Sequence, residues 1–216
     1  MAVIRTLASP EDVAEGVAAL RRTEPRFGRI AEVTGLPALR REEPGLKGLL
    51  RIVTDQMISL KAAEAIWARI EVALYPCDAD AVLRRRQATL MKLGLSGHKA
   101  RSFRALALAV RDGTLPLERF AGMPDDEISA ALTALHGIGP WTAEIYLLSC
   151  LGRPDVWPAG DVALQMAVQD AFGLPERPGE RDMRVMAEAW RPWRAVAARL
   201  LWAHYRHVRG LRQAVD

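Results

Sequence analysis

The sequence predicts an all-α fold, and three observations carry that expectation. Apolar residues recur at spacings of three and four along most of the chain, the period of one helix face. Strict apolar–polar alternation over the length of a strand is hard to find. Helix-start and helix-stop residues punctuate the periodic stretches.

Ser9-Pro10-Glu11-Asp12 supplies an N-cap, a proline at the first helical position and early acids, which predicts a helix running to about Arg22. Pro25, Gly28, Gly35, Pro37 and Pro44 then interrupt the chain. Helical patterning resumes with Leu49, Leu50, Val53 and Met57. After Ser59 it continues with Ala62, Ala63, Ile66, Trp67 and Ile70 on one stripe, so these two helices should pack together. A further helix begins after Ser96-Gly97 and ends at Gly113, and another follows Pro124-Asp125-Asp126 and ends near Leu135. Residues 132–150 read as an apolar helix, a Gly-Ile-Gly-Pro turn and a second apolar helix. Beyond Gly152 comes the loop RPDVWPAGD, then helices from about Val162 to Phe172, Arg181 to Ala189 and Pro192 to Val208. The chain shows no internal repeat, low-complexity segment or long linker.

With 216 residues, half of them apolar and 26% charged, the chain is not of disordered composition. Thirty Lys and Arg against 26 Asp and Glu leave a net charge of +4, which permits a polyanionic partner without demanding one. Two cysteines, Cys77 and Cys150, are too few for a disulfide scaffold, a four-cysteine zinc site or an iron–sulfur cluster, and suit a reducing cytoplasm. The first twenty residues lack the basic start and unbroken apolar core of a signal peptide, and no window approaches the roughly 18 apolar residues of a membrane span. A soluble cytoplasmic protein is expected.

The glycines at 137 and 139 allow a turn with positive φ and bring bare backbone close to a ligand, while Pro140 presets the next helix start. Such a start offers unpaired amides and partial positive charge, which suits phosphate; an ordinary helix connection uses the same residues. From Arg84 to Arg111 the chain carries eight Lys or Arg and no acid. That run is either one solvated helical face or a surface for backbone phosphates, with Lys99 and Arg101 as contact candidates. His204 and His207 stand at a spacing compatible with metal, but no cysteine or carboxylate pattern accompanies them, so surface or packing roles are expected. Ser149 and Cys150 read as core.

The string Leu135-x-Gly137-Ile138-Gly139-x-Trp141-Thr142-Ala143, followed by Trp157-Pro158-Ala159-Gly160-Asp161, resembles the helix-hairpin-helix plus Gly/Pro-Asp signature of a superfamily of DNA glycosylases (HhH-GPD), and most closely its alkyladenine (3-methyladenine) branch. Asp55-Gln56-Met57-Ile58-Ser59 with Ala62-Ala63, the segment Gly94-Leu95-Ser96-x-x-Lys99-Ala100, and Arg191-Pro192-Trp193-Arg194 with Trp202 add matches in the same order, over about residues 45–205. With about 40 residues ahead of the match, the chain is similar to the short form without an extra N-terminal domain.

The resemblance implies two all-α lobes with a substrate cleft between them. Residues 45–150 form the central lobe with the hairpin, and 1–44 plus 151–216 form a second lobe that carries the catalytic Asp. It implies that Asp161 stabilises an oxocarbenium-like sugar and activates water, a role compatible with capping the following helix. Trp141 stands where strand-nicking members carry a Schiff-base lysine, which implies a monofunctional enzyme. Trp141 and Trp202 would receive the everted base, and a π face there favours an electron-poor alkylated ring. Ile145 and Ala203 stand where the long form has tyrosines. Met57 would fill the vacated stack, Gln56 would contact the nearby duplex edge, and Gly137, Ile138, Gly139 and Thr142 would grip phosphate. Carbonyls of Thr133, Leu135 and Ile138 would hold a monovalent cation; no other cofactor is implied.

The function implied is hydrolysis of the N-glycosidic bond of alkylated purines such as 3-methyladenine in double-stranded DNA, by a monomer, starting base excision repair. A non-catalytic helix-hairpin-helix module binding DNA without sequence preference is the alternative. A lyase-type enzyme would require a lysine in place of Trp141.

Overall fold

A computed structural model of the chain describes residues 4–210, and these residues contain helices and loops with no strand. They divide into two compact units, Glu42–Leu151 and the residues through Arg41 together with those from Gly152 onward.

The second of these is built on four helices, α1 (Pro10–Thr23), α2 (Pro25–Thr34), α10 (Val162–Phe172) and α12 (Arg194–Val208), with α11 (Glu180–Ala187) and a 3₁₀ turn at Glu188–Trp190 beside them. α1 starts with a reciprocal capping box between Ser9 and Asp12. α12 packs against α10, α2 and α1, and buries Ala195, Val196, Leu200 and Leu201 completely. Phe27, Trp157, Phe172 and Trp190 meet mostly edge to face, with centroids 5.1–6.3 Å apart.

α2 corrects the reading of Pro25 and Gly28 as interruptions. Pro25 occupies the first helical position, where its missing N–H costs nothing, and the Glu24 side chain caps the Arg26 amide. Gly28 lies on the buried face, where a Cβ would come within 3.3 Å of the Arg21 side chain, so the residue serves a close approach rather than a break.

In the Glu42–Leu151 unit, α3 (Leu46–Asp55), α4 (Leu60–Ala73), α5 (Ala79–Leu83), α6 (Gln87–Lys92), α7 (Gly97–Arg111), α8 (Asp125–Thr133) and α9 (Pro140–Ile145) follow in order. α7 packs against α3, α5 and α6, and α3 also meets α4 and α9. Leu49, Leu50, Phe103, Leu106, Phe120 and Tyr146 are completely buried. The helix opened by Pro140 changes pitch at Tyr146–Cys150, where a π-turn joins the Leu151 amide to the Tyr146 carbonyl at 3.2 Å. The short α5, α6 and the 3₁₀ segment Leu117–Gly122 were not expected from the sequence: five or six residues give too few turns for a period to register.

Candidate functional site

Within the Glu42–Leu151 unit the two-glycine turn joins α8 to α9. The glycines differ. Gly137 has φ +76°, and a Cβ there would lie 2.0 Å from Ser102 Oγ and 2.8 Å from His98 Cε1, so both backbone shape and space demand glycine. Gly139 has φ −96°, is the N-cap of α9, and a Cβ on it would meet nothing within 4 Å. The sequence expectation that both relieve positive φ therefore holds for Gly137 alone; Gly139 leaves an open approach to the first-turn amides. Ile138 is 4% exposed and its amide donates to the Leu135 carbonyl at 3.1 Å, which closes the turn around an apolar anchor. Thr142 is buried, and Trp141 is half-buried in the first turn of α9. Thr133 ends α8, in the stretch where helix carbonyls lose their intrahelical donors.

The turn after α3 comes to the hairpin. Gln56 donates through Nε2 to Thr142 Oγ1 at 2.8 Å and to the Gly137 carbonyl at 3.3 Å. Next to it, Met57 is 98% exposed and holds φ +58°, an uncommon conformation for a side chain of that size. Gln56 thus fastens the base of an outward-pointing methionine to the glycine turn.

Of the basic run, several cations serve backbone carbonyls. Lys99 Nζ donates to Thr54 O at 2.8 Å and Gln56 O at 2.6 Å, and Arg104 donates to the carbonyls of Leu83 and Arg85. Burial holds the Lys99 ammonium below the usual lysine range, with the Asp55 carboxylate acting in the opposite direction. Burial in turn raises the Asp55 carboxyl, against the Arg51 guanidinium 3.3 Å away. Arg84, Arg86, Lys92 and Arg101 are exposed.

In the other unit Asp161 is the N-cap of α10. Its Oδ1 accepts the Leu164 amide at 2.8 Å and the Trp202 indole N–H at 3.1 Å, so one oxygen is oriented by two donors. Asp161 and Trp202 are both half-buried, and Ala203 is 3% exposed.

The loop ahead of Asp161 is tied at several points that sequence reasoning missed. Asp155 accepts Arg194 Nε at 2.7 Å and Nη2 at 3.1 Å, and it also pairs with Arg191. The Ala195 amide donates to Pro154 O at 2.9 Å. Gln165, 7% exposed, donates to Ala159 O at 2.9 Å. A polar residue among the apolar positions of α10, four after Asp161, was the signal available for Gln165.

At the far end of α10, His204 Nε2 meets Asp170 Oδ2 at 2.6 Å. This carboxylate lies 34 positions away in sequence, beyond any local pattern around His204 and His207. His207 is exposed. Among the described residues, no group of three or more His, Cys, Asp or Glu is arranged to hold a metal, and no helix is long and apolar enough to cross a membrane.

Comparison with known proteins places these features in a family context. Residues 50–195 match the model of the HhH-GPD superfamily base excision DNA repair protein. A Mycobacterium tuberculosis protein, described as a probable bifunctional transcriptional activator/DNA repair enzyme AlkA, is 35% identical over 169 residues, 73% of this chain and 33% of its own length. DNA-3-methyladenine glycosylase 1 of Schizosaccharomyces pombe is 30% identical over 171 residues, covering 76% of this chain and 74% of that protein. Among solved structures, the S. pombe 3-methyladenine DNA glycosylase Mag1 in complex with abasic DNA superposes with a TM-score of 0.82 at 26% identity, over 87% of this chain and 95% of that one. The chain spans about a third of the length of several curated relatives it matches, the AlkA protein included.

Proposed function

Because the chain belongs to the HhH-GPD superfamily of base excision DNA repair proteins, we propose that it is a monofunctional DNA glycosylase that hydrolyses the N-glycosidic bond of alkylated purines, such as 3-methyladenine, in double-stranded DNA. The observation that carries this reading is the Asp161 carboxylate, oriented at the start of α10 by the Leu164 amide and the Trp202 indole.

In this reaction the C1′–N bond breaks with its electron pair leaving on the base. The sugar passes through an oxocarbenium-like state, and water adds at C1′ with loss of a proton. A 3-alkylated adenine carries positive charge before it leaves, so departure neutralises it and needs no strong acid. What remains is to stabilise the sugar cation and direct water, and one fixed carboxylate supplies both. Asp161 needs no reorganisation to do so, since its donors already hold it.

Trp141, and no lysine, is the second residue of α9, so the reading includes no Schiff base and no strand scission. On this reading Trp202, beside Asp161, offers a face for the everted base. In the Glu42–Leu151 unit Trp141 is the candidate for base stacking, Met57 for the vacated place in the duplex, and the amides around Gly139 with exposed Arg101 for the backbone phosphates. A monovalent cation would sit on the carbonyls of Thr133, Leu135 and Ile138. The residues fit, because hard cations take oxygen ligands and these carbonyls lie at and beyond the end of α8, but the Leu135 oxygen already accepts the Ile138 amide and keeps one lone pair for it. The reading requires neither a transition metal nor an iron–sulfur cluster. One copy of the chain carries every residue the reading uses, so it works as a monomer, and two buried cysteines fit a reducing cytoplasm.

Methylated duplex DNA incubated with the protein should release free 3-methyladenine and leave intact strands with abasic sites. Asp161→Asn should abolish release. Retained activity in that variant rejects the catalytic assignment, and equal affinity for damaged and intact duplex without release identifies a non-catalytic DNA-binding module instead.

A further inference from the structure

The turn that carries Met57 needs an external brace. α3 stops at Asp55, α4 begins after Ser59, and between them Met57 holds a left-handed φ with its side chain almost wholly in solvent. An exposed methionine gains nothing from packing that would offset such a conformation, so the neighbouring backbone must be fixed from outside. Two carbonyls of this segment, Thr54 O and Gln56 O, accept hydrogen bonds from the same ammonium, that of Lys99 in the first turn of α7. Lys99 is itself set by the Ser96 N-cap, whose Oγ accepts the Lys99 amide.

We propose that Lys99 is a positioning residue that presets the outward conformation of Met57, rather than a contact to phosphate. The proposal rests on reading the chain as a base-everting glycosylase. A phosphate-binding lysine keeps its ammonium in solvent until DNA arrives; here the ammonium is partly buried, with peptide oxygens as acceptors at 2.6 and 2.8 Å. Withdrawing it to reach a phosphate would strip two carbonyls of a charge-assisted donor. Gln56 joins the same turn to Thr142 and Gly137, so α3, α7 and the glycine hairpin hold Met57 as one rigid group. Arg101, two residues further along α7 and exposed, is the comparison for a phosphate contact.

The test uses the full chain with a duplex carrying a single alkylated base. Lys99→Met should slow single-turnover base release about tenfold, the effect of losing charged hydrogen bonds. It should leave the slope of log affinity against log salt unchanged, whereas Arg101→Met should reduce that slope by about 0.9. In a Met57→Ala background, Lys99→Met should cost less than about twofold, since a residue acting through Met57 has nothing left to act on. A slope lowered by about one charge in Lys99→Met, or losses that multiply in the double variant, overturns the proposal. Lys99→Gln, which keeps a neutral donor facing the carbonyls, provides the same comparisons should Lys99→Met fold poorly. If the wild-type chain releases no base, the glycosylase reading fails, and amide hydrogen exchange still decides the brace: exchange at residues 56–59 should quicken at least about tenfold in the Lys99 variants and stay unchanged in Arg101→Met. Equal exchange in all of them overturns it.

Discussion

The carboxylate of Asp161 accepts the indole N–H of Trp202 at 3.1 Å on the same oxygen that caps the Leu164 amide. The residue proposed to face the sugar is thus oriented by one donor from its own helix and one from α12. Trp202→Phe keeps an aromatic surface and removes the second donor. A neutral donor to a charged acceptor contributes about 1.5–3 kcal/mol, so base release should fall roughly 10- to 150-fold, with the abasic product unchanged. Wild-type rates in Trp202→Phe would show that the indole N–H does not orient the carboxylate.

Asp161 also holds a helix end, and two substitutions separate that role from the chemical one. Asparagine is as good an N-cap as aspartate, so Asp161→Asn should keep the unfolding midpoint while losing base release. Asp161→Ala should lose both, with a stability cost of about 0.5–2 kcal/mol. Equal destabilisation of the two variants in thermal unfolding would mean that charge, and not capping, anchors α10.

The two glycines of the hairpin should respond oppositely to alanine. At Gly137 the new methyl would meet Ser102 Oγ in a left-handed conformation, and Gly137→Ala should destabilise the protein by about 2 kcal/mol or more. At Gly139 the methyl meets nothing, so stability should be kept while duplex affinity drops, because the Cβ projects where a phosphate would approach the amides. Unfolding curves and fluorescence anisotropy with a labelled duplex distinguish the two, and a Gly139→Ala protein that binds DNA normally removes the hairpin from the interface.

What could be read from the sequence follows from how local each signal is. Caps, prolines and the 3.6 period lie within a few residues of what they specify, and they place α1, α7, α10 and α12 within one or two residues of their ends. α3 instead begins three residues before Leu49 and stops at Asp55, leaving Met57 outside the helix, and α4 runs three residues past Ile70. α2 is not legible in the same way, because Pro25 and Gly28 are breakers in a helix interior but not at the first position and on the buried face that they take here. The hairpin and Asp161 were legible as a motif, but the partners that orient them were not: Trp202 is 41 positions from Asp161, and Thr142 is 86 from Gln56. The bonds of Lys99 to the carbonyls of Thr54 and Gln56 are not legible, because nothing in the sequence shows that α7 begins beside the end of α3. Side-chain-to-carbonyl bonds between distant elements leave no periodic trace.

The clamp on the loop before Asp161 makes a prediction about that loop rather than about charge. Arg194 grips Asp155 with two nitrogens and donates also to its carbonyl, with 15% of the arginine side chain and 24% of the aspartate exposed. Arg194→Met keeps the stem and removes the fork. It should cost about 1–3 kcal/mol and raise proteolysis between Gly152 and Gly160 before global unfolding. A variant with wild-type protease resistance in that segment would show that Pro154 O and Ala159 O, held by Ala195 and Gln165, suffice.

Asp55 yields a pH prediction with a definite sign. Burial raises its carboxyl above the unfolded value of 3.8, and Arg51 only partly offsets that. The folded chain therefore holds this proton more tightly than the unfolded chain. The resulting stabilisation is fully present below the unfolded value and is lost as pH rises through the raised folded value. Asp55→Asn cannot ionise and escapes that loss. The unfolding midpoint of the variant relative to wild type should accordingly rise from about pH 3.5 upward and level off once the wild-type carboxyl is ionised in the folded state. A difference that is flat across this range, or that falls, would mean that the Arg51 pair outweighs burial at this position.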